Sequence, residues 1–443
     1  KPSKFFLNLE KQNNTNKEIR QLSAENGDIL DRQSDILKEV FNFYSNLYAE
    51  KETDGINLEL LLNYPDIPKL SSQMSSLLEG PLCVDEIYST LKIMKNNKSP
   101  GPDGFTVEFY RYFWEDIKYL LVRSLNYAYF TGKLSNSQKM GIITLIPKGN
   151  KPRHLLKNWR PISLLNVVYK LASSCIANRL KGVLSFLIHE NQTGFLSGRF
   201  IGENIRLLYD TLLYTELHDI AGMLLVVDFE KAFDSVSHDF LFNVLDFFRF
   251  GPSVKKWINL FYANASSCVL VNGHCTDRFE IGRGCRQGDP LSSYLFLLVS
   301  EILGILIRHS HSLGGLHMNG KTLKLLQYAD DTLLTLNGSM QDLQCALTIL
   351  NDFANMSNLK VNTTKTQVIW IGKNRTFKKE ILHEYKLNWI SEGYFRYLGI
   401  DFSVKLSEMV NHNYQEKVQE INRQMTIWLN RTLTPLGRVT IVK

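Results

Sequence analysis

Apolar and polar positions along this chain follow two periods, one helical and one extended. In a largely polar first 80 residues, Ile36, Leu37, Val40, Phe41, Tyr44, Leu47 and Tyr48 recur at helical spacing. That pattern predicts a helix whose apolar face must pack on something. The Ser-rich stretch Asp66–Ser76 reads as a connector, and Ile87, Leu91, Ile93 and Met94 predict a helix over Asp85–Lys95. The turn after it, Ser99–Phe105, carries two Pro and two Gly in seven residues, which fixes a looped backbone. Ile142–Ile146 and Trp159–Leu164 read as a strand pair around a basic tip, Lys148–Asn158, with a helix over Val167–Leu187 behind them.

The centre alternates the two periods. A strand at Met223–Asp228 precedes helices at His238–Phe247 and Ser253–Tyr262. Strands at Cys268–Val271 and Asp277–Ile281 form a hairpin across Asn272–Cys275. A long helix over Leu291–Arg308, a hairpin over Leu323–Asn337, a helix over Met340–Met356 and a strand at Val368–Ile371 follow. Strands and helices in this order predict an α+β fold with helices on one antiparallel sheet. Beyond Phe395–Ile400 the pattern turns helical again, from Tyr414–Leu429 onward.

Composition changes this picture little. With 443 residues, 44% of them hydrophobic, the chain can bury a large core and form two or three domains. The net charge of +7 is modest, but Ile117–His189 contains no Asp or Glu and twelve Lys or Arg. Such a span is either a solvated basic face or a surface for phosphates, and its length favours the second. Tyr127, Tyr129, Phe130, Trp159 and Tyr169 lie within it as candidate stacking residues.

Cys83, Cys175, Cys268, Cys275, Cys285 and Cys345 form no C-x-x-C pair, so they give no zinc signature and read as mostly buried intracellular thiols. The most apolar region, Leu295–Ile307, is broken by Ser300 and Glu301 and reads as a core helix, so no membrane partner is expected. His189, His218 and His274 stand in no H-E-x-x-H or triad context and read as structural. The chain starts at Lys1 rather than Met and stops at Val442–Lys443, which gives the expectation of a piece of a longer polyprotein.

Two stretches carry the candidate chemistry: Leu224–Asp234 (LLVVDFEKAFD) and Leu326–Leu336 (LQYADDTLLTL). Each is an apolar run that ends in aspartate, where an unpaired buried charge would be costly. Acids placed so usually face a cation, most simply a metal. Taken alone, Asp330 and Asp331 could be ordinary turn residues, and Asp228 could cap a helix beginning near Lys231. Between them lies Gly282–Phe296 (GRGCRQGDPLSSYLF), a Gly/Arg/Gln turn opening a helix at Asp289–Pro290. Its glycines allow close backbone approach to a ligand, and Gln287 supplies amide donors that a core has no use for.

With these segments stand Lys95–Tyr110 (KNNKSPGPDGFTVEFY), Ile143–Lys148 (ITLIPK), Asn158–Leu180, Asn191–Arg206 (NQTGFLSGRFIGENIR), Asn358–Gln367 (NLKVNTTKTQ) and Phe395–Phe402 (FRYLGIDF). In this order the chain resembles the reverse transcriptase of LINE-type, non-LTR retrotransposons through most of its length. The R-Q-G-D-P and N-W-R-P-I-S-L-L-N wording sets it apart from group II intron maturases. The resemblance implies a right-hand polymerase fold of fingers, palm and partial helical thumb. It divides the chain into an N-terminal extension (1–80), fingers (81–222), a palm (223–402, with a primer grip at 395–402) and the start of a thumb (403–443).

It implies RNA-directed DNA polymerisation: a primer 3′-hydroxyl extended with dNTPs on an RNA template, with a DNA primer or target. Nuclear action is expected, with an endonuclease and a C-terminal nucleic-acid-binding region elsewhere in the polyprotein. Asp228, Asp330 and Asp331, joined by the backbone carbonyl of Phe229, would hold two Mg²⁺ ions, for which Mn²⁺ can substitute. Asp331 is the weakest of these assignments, because adjacent residues near a strand point apart. Lys148 and Arg160 would grip the triphosphate, Phe233 would exclude a 2′-hydroxyl, Gln287 would touch the nucleotide or templating base, and Lys365 would protonate the leaving pyrophosphate. Glu230 and Asp234 are set aside as ligands, with Asp234 expected to support a helix N-terminus or a basic neighbour. The competing reading is a catalytically silent RNA-binding relic or recruited relative, which should have lost an aspartate or a triphosphate-gripping base; all are present.

Overall fold

The computed structural model describes residues 18–429, apart from residues 25, 54–57, 59–60, 62–63, 65, 150, 378–380, 382 and 404–405. Among them, the strand Ala221–Val227 is the centre of a five-stranded sheet. Asp331–Leu336 and Gln367–Gly372 flank it, both antiparallel, while Leu325–Tyr328 and Asn388–Ile390 form the edges. Alternation along the central strand feeds two cores. Met223, Leu225 and Val227 join the main core with the helices Ser292–His309 and Met340–Ser357. Leu224 points the other way, to Leu208 and Leu212 of the helix Ile201–Leu217 and to Phe395 and Phe402 of a terminal hairpin.

A second five-stranded sheet carries the expected basic-tipped hairpin, Met140–Pro147 with Trp159–Leu164. The hairpin beginning at Ser266–Val271 also belongs here, because its first strand pairs in parallel with Met140–Pro147. The alternating pattern of the centre had suggested a single antiparallel sheet, and this pairing corrects it. Parallel pairing across more than a hundred residues leaves no local sequence signal.

The helix read from Ile36 to Tyr48 forms over Gln33–Tyr48, with Ile36, Val40, Tyr44 and Tyr48 buried. Its apolar face covers the second sheet at Ile143, Leu145, Trp159, Val269 and Phe279. The connector contains a short helix, Ser72–Ser76, because the Ser71 hydroxyl accepts the Met74 N–H at 3.2 Å. The helices Val107–Tyr112 and Trp114–Thr131 were not legible beforehand. Tyr119, Leu120, Tyr127 and Phe130 lie exposed on the second and blur its apolar stripe. Elements expected over Asp85–Lys95, Val167–Leu187 and His238–Phe247 form as Val84–Ile93, Val167–Leu187 and His238–Phe247.

The helix Ser292–His309 is long and apolar enough to cross a membrane, but most of it is buried inside the protein. Its Glu301 carboxylate pairs with Arg308 and accepts the His189 N–H at 3.2 Å. The thiols are less buried than expected: Cys175, Cys268 and Cys285 are buried, Cys345 is intermediate, and Cys83 and Cys275 are exposed. Residues 1–17 of the N-terminal extension lie outside the described residues, as do 430–443 beyond the helix Leu406–Leu429.

Candidate active site

Strand register assembles the site. Val227 pairs with Thr332 on one side, and Val226 pairs with Gln367 on the other. Counting one residue on from the first pair sets Asp228 opposite Asp331. On the other side the strand pairing ends at Gln367, and Lys365 lies in the turn just before it. Residues directly opposite in an antiparallel pair share a face. Asp228 and Asp331 are thereby side by side, with Lys365 Nζ 3.4 Å from Asp228 Oδ2. The expectation that Asp331 points away from the site rested on its adjacency to Asp330; the register sets it opposite Asp228.

The backbone around Asp228 is pinned. Its N–H donates to Thr366 Oγ1 at 3.2 Å, and its carbonyl accepts the Asn362 N–H at 2.7 Å. Phe229 bridges to Val361, and Glu230 is exposed beyond it.

Tyr328 pairs with Asp331, so the turn consists of Ala329 and Asp330, with Ala329 at φ +56°. A left-handed alanine is strained unless its surroundings hold it. Gln192, buried beneath the turn, does so: its Oε1 accepts the N–H groups of Ala329 (2.7 Å) and Gly194 (2.9 Å), and its Nε2 donates to the Ala329 carbonyl at 3.2 Å. A Cβ on Gly194 would come within 2.5 Å of Ala329 N, so that close approach requires glycine. Gln192 was missed as a site residue. The signal was available: an amide two residues before a glycine in a segment otherwise read only as part of a motif.

Asp330 and Asp331 are accessible to water at the turn, yet the protein around them is dense. Partial desolvation raises Asp330 above the usual carboxylate range, and Asp228 adds to the effect. Desolvation, Asp330 and Asp228 together push Asp331 up to about 6. Carboxylates supply hard oxygen donors of the kind Mg²⁺ takes. Among the described residues, however, no group of three or more His, Cys, Asp or Glu side chains is close-set enough to hold a metal ion. Asp228 is engaged by Lys365 instead.

Cations converge from the hairpin. Burial holds the Lys148 ammonium below its usual range, and Lys365, Arg160 and Lys151 act in the same direction. The Lys148 ammonium donates to the Lys157 carbonyl at 3.0 Å, and Arg160 is exposed on the returning strand. Phe233 is half-buried: it stacks on Phe296 at 4.3 Å and meets Phe195 edge-on at 6.3 Å.

The glycine-rich turn is pressed between two neighbours. A Cβ on Gly284 would come within 2.6 Å of the Asp234 carbonyl, and one on Gly288 within 2.6 Å of the Ser163 carbonyl. Ser163 N–H donates to the Gln287 carbonyl at 2.7 Å, which ties the turn to the hairpin strand. Arg286 is buried over the Tyr169 ring, 5.5 Å from its centroid. Asp234 has the basic neighbour expected of it: Lys231 and Lys148 both favour its ionisation. It is fully buried and accepts from Tyr48 and Gln287.

Residues 146–402 match the family model described as reverse transcriptase (RNA-dependent DNA polymerase). The chain belongs to this family. It is 32% identical over 445 residues to a Xenopus laevis protein named Transposon TX1 uncharacterized 149 kDa protein, across 99% of this chain and 33% of that protein. It is 26% identical over 319 residues to the Retrovirus-related Pol polyprotein from type-2 retrotransposable element R2DM of Drosophila melanogaster, covering 69% of this chain and 29% of that one. With the Probable RNA-directed DNA polymerase from transposon BS of the same fly it shares 29% identity over 310 residues, covering 66% and 32%. The resemblance to non-LTR retrotransposon reverse transcriptases is thus borne out, and the chain spans about a third of the length of these relatives. Family membership supports a nucleotidyltransferase function in general.

Proposed function

We propose that this reverse transcriptase family member is an RNA-directed DNA polymerase that extends a primer 3′-hydroxyl with dNTPs on an RNA template. The observation that carries the reading is the register that sets Asp228 opposite Asp331 across adjoining strand ends, with Asp330 at the turn beside them and Lys365 Nζ 3.4 Å from Asp228 Oδ2. Asp228, Asp330 and Asp331, with the Phe229 carbonyl, would hold two Mg²⁺ or Mn²⁺ ions. Such ions, when bound, lower the pKa of the attacking hydroxyl and neutralise charge on the triphosphate.

The chain's own groups do the rest. Lys148 and Arg160 hold the triphosphate, Lys as a mobile point charge and Arg as a bidentate fork. Phe233, held by its stack on Phe296, would exclude a 2′-hydroxyl. Lys365, exposed beside Asp228, is the candidate proton donor to the leaving pyrophosphate. In this reading 81–222 acts as fingers, 223–402 as palm with 395–402 gripping the primer end, and 403–443 begins a thumb. The partners are an RNA template and a DNA primer, with nicked nuclear DNA as the target. The test is primer extension on a poly(A) template with Mg²⁺ and dTTP. Extension that disappears with EDTA is expected; a well-folded chain that binds RNA but adds no nucleotide would overturn the reading in favour of an RNA-binding relic.

A further inference from the structure

The helix Gln33–Tyr48 ends against the turn that carries Gln287. Its last carbonyls, which a helix leaves without intrahelical partners, are taken up by the glycine-rich turn. Gly282 N–H donates to the Tyr48 carbonyl at 2.8 Å, and Arg283 Nε donates to the Leu47 carbonyl at 2.7 Å. The Lys231 ammonium lies 3.8 Å from the centroid of the Phe43 ring on the same helix. Deeper in, the Tyr48 hydroxyl donates to Asp234 Oδ1 at 2.8 Å, and Gln287 Nε2 donates to Asp234 Oδ2 at 2.9 Å.

This short relay has a chemical consequence. A carboxylate can only accept, so the Asp234 oxygen selects one of the two orientations of the Gln287 amide. The NH₂ group must face Asp234, which leaves Gln287 Oε1 directed away from it. Burial and Asp234 hold the Tyr48 phenol far above its usual range, so it remains a donor. Burial pushes Asp234 up to about 6, which leaves it ionised at neutral pH, where it accepts from both neighbours.

We propose that Tyr48 is a positioning residue for the nucleotide site, acting through Asp234 to hold Gln287 with its amide oxygen presented to the incoming nucleotide. The N-terminal extension is then part of the polymerase site as well as its support. The inference rests on the nucleotide contact proposed for Gln287.

The test is dTTP titration in poly(A)-templated primer extension with the full chain. Tyr48→Phe keeps the ring and removes one hydroxyl donor. KM for dTTP should rise about three- to tenfold, the weight of one buried hydrogen bond, with kcat changed less than about twofold. In a Gln287→Ala background the same change should add less than about twofold, whereas a merely structural tyrosine would act equally in both. Asp234→Asn, which frees the Gln287 amide to take either orientation, should raise KM similarly and carries the comparison should Tyr48→Phe fail to fold. An unaltered KM in the folded Tyr48→Phe chain, or equal effects in both backgrounds, overturns the inference. A Gln287→Ala chain with an unaltered KM shows instead that Gln287 does not touch the nucleotide, and the inference falls with its premise.

Discussion

Gln192 Oε1 accepts the Ala329 N–H at 2.7 Å, and the Nε2 of the same side chain donates to the Ala329 carbonyl at 3.2 Å. One buried amide thus holds both backbone polar groups of the residue that precedes Asp330. Gln192→Leu is close in volume but leaves the Ala329 and Gly194 N–H groups unpaired. It is expected to destabilise the fold by about 2–4 kcal/mol. Released from the clamp, the left-handed alanine should relax and displace Asp330, so kcat should fall at least tenfold at temperatures where the variant is folded. Denaturant unfolding and primer extension check both parts; a destabilised variant with wild-type kcat would leave Gln192 a purely structural group.

Asp228→Asn and Asp330→Asn should each abolish Mg²⁺-dependent extension while leaving the fold intact. Both acids bear on the ionisation of Asp331, so removing either charge relieves repulsion in the metal-free chain. In thermal melts, Mg²⁺ should raise the midpoint of the wild type and leave both variants nearly unmoved, because only a bound ion shifts the equilibrium. Extension at the wild-type rate by either variant would refute the assignment of these acids.

Phe233→Val should admit ribonucleotides while DNA synthesis continues. Phe233 stacks on Phe296 at 4.3 Å, so the loss of packing should cost about 1–3 kcal/mol. The competition to measure is rNTP against dNTP incorporation. Unchanged discrimination in a destabilised variant would make Phe233 ordinary core.

Lys148→Ala and Arg160→Ala should weaken apparent dNTP affinity about ten- to a hundredfold, with little effect on template binding. The triple change Lys151→Ala, Arg153→Ala and Lys157→Ala, on the loop between them, should do the reverse. It should flatten the log–log salt dependence of template binding by roughly 0.7 per lost single-strand phosphate contact. If all five positions alter only salt-dependent template binding, the hairpin is a general RNA-binding face.

Asp234 gives a pH signature. Its folded value of about 6 lies above the unfolded carboxylate value of about 3.9, because burial outweighs Tyr48, Lys231, Lys148 and Gln287, which all favour ionisation. The sign follows: protonation favours the folded state, so this contribution is full below about pH 4 and is lost as pH rises through about 6. Comparing the pH dependence of unfolding for wild type and Asp234→Asn should show the wild type losing stability relative to the variant between pH 4 and 6. A gain over that interval would contradict the direction.

Local pattern determined a good deal. The helix Gln33–Tyr48 was legible because Ile36, Val40, Tyr44 and Tyr48 fall on one face, and the strand pair around Lys148 because a polar tip divides two apolar runs. Asp228, Asp330 and Asp331 were legible as candidate chemistry because carboxylates that end buried strands need a reason to be there. Tertiary structure alone decided how these pieces meet. The alignment of Asp228 with Asp331 depends on register between strands about a hundred residues apart, and a slip of one residue would turn every side chain to the other face. The parallel pairing of Met140–Pro147 with Ser266–Val271 moved a hairpin from one sheet to the other. Gln192 beneath Ala329, and Tyr48 against Asp234, are hydrogen bonds across 137 and 186 residues. A buried polar group must find its partner wherever the fold brings one, and sequence shows the need without showing the partner.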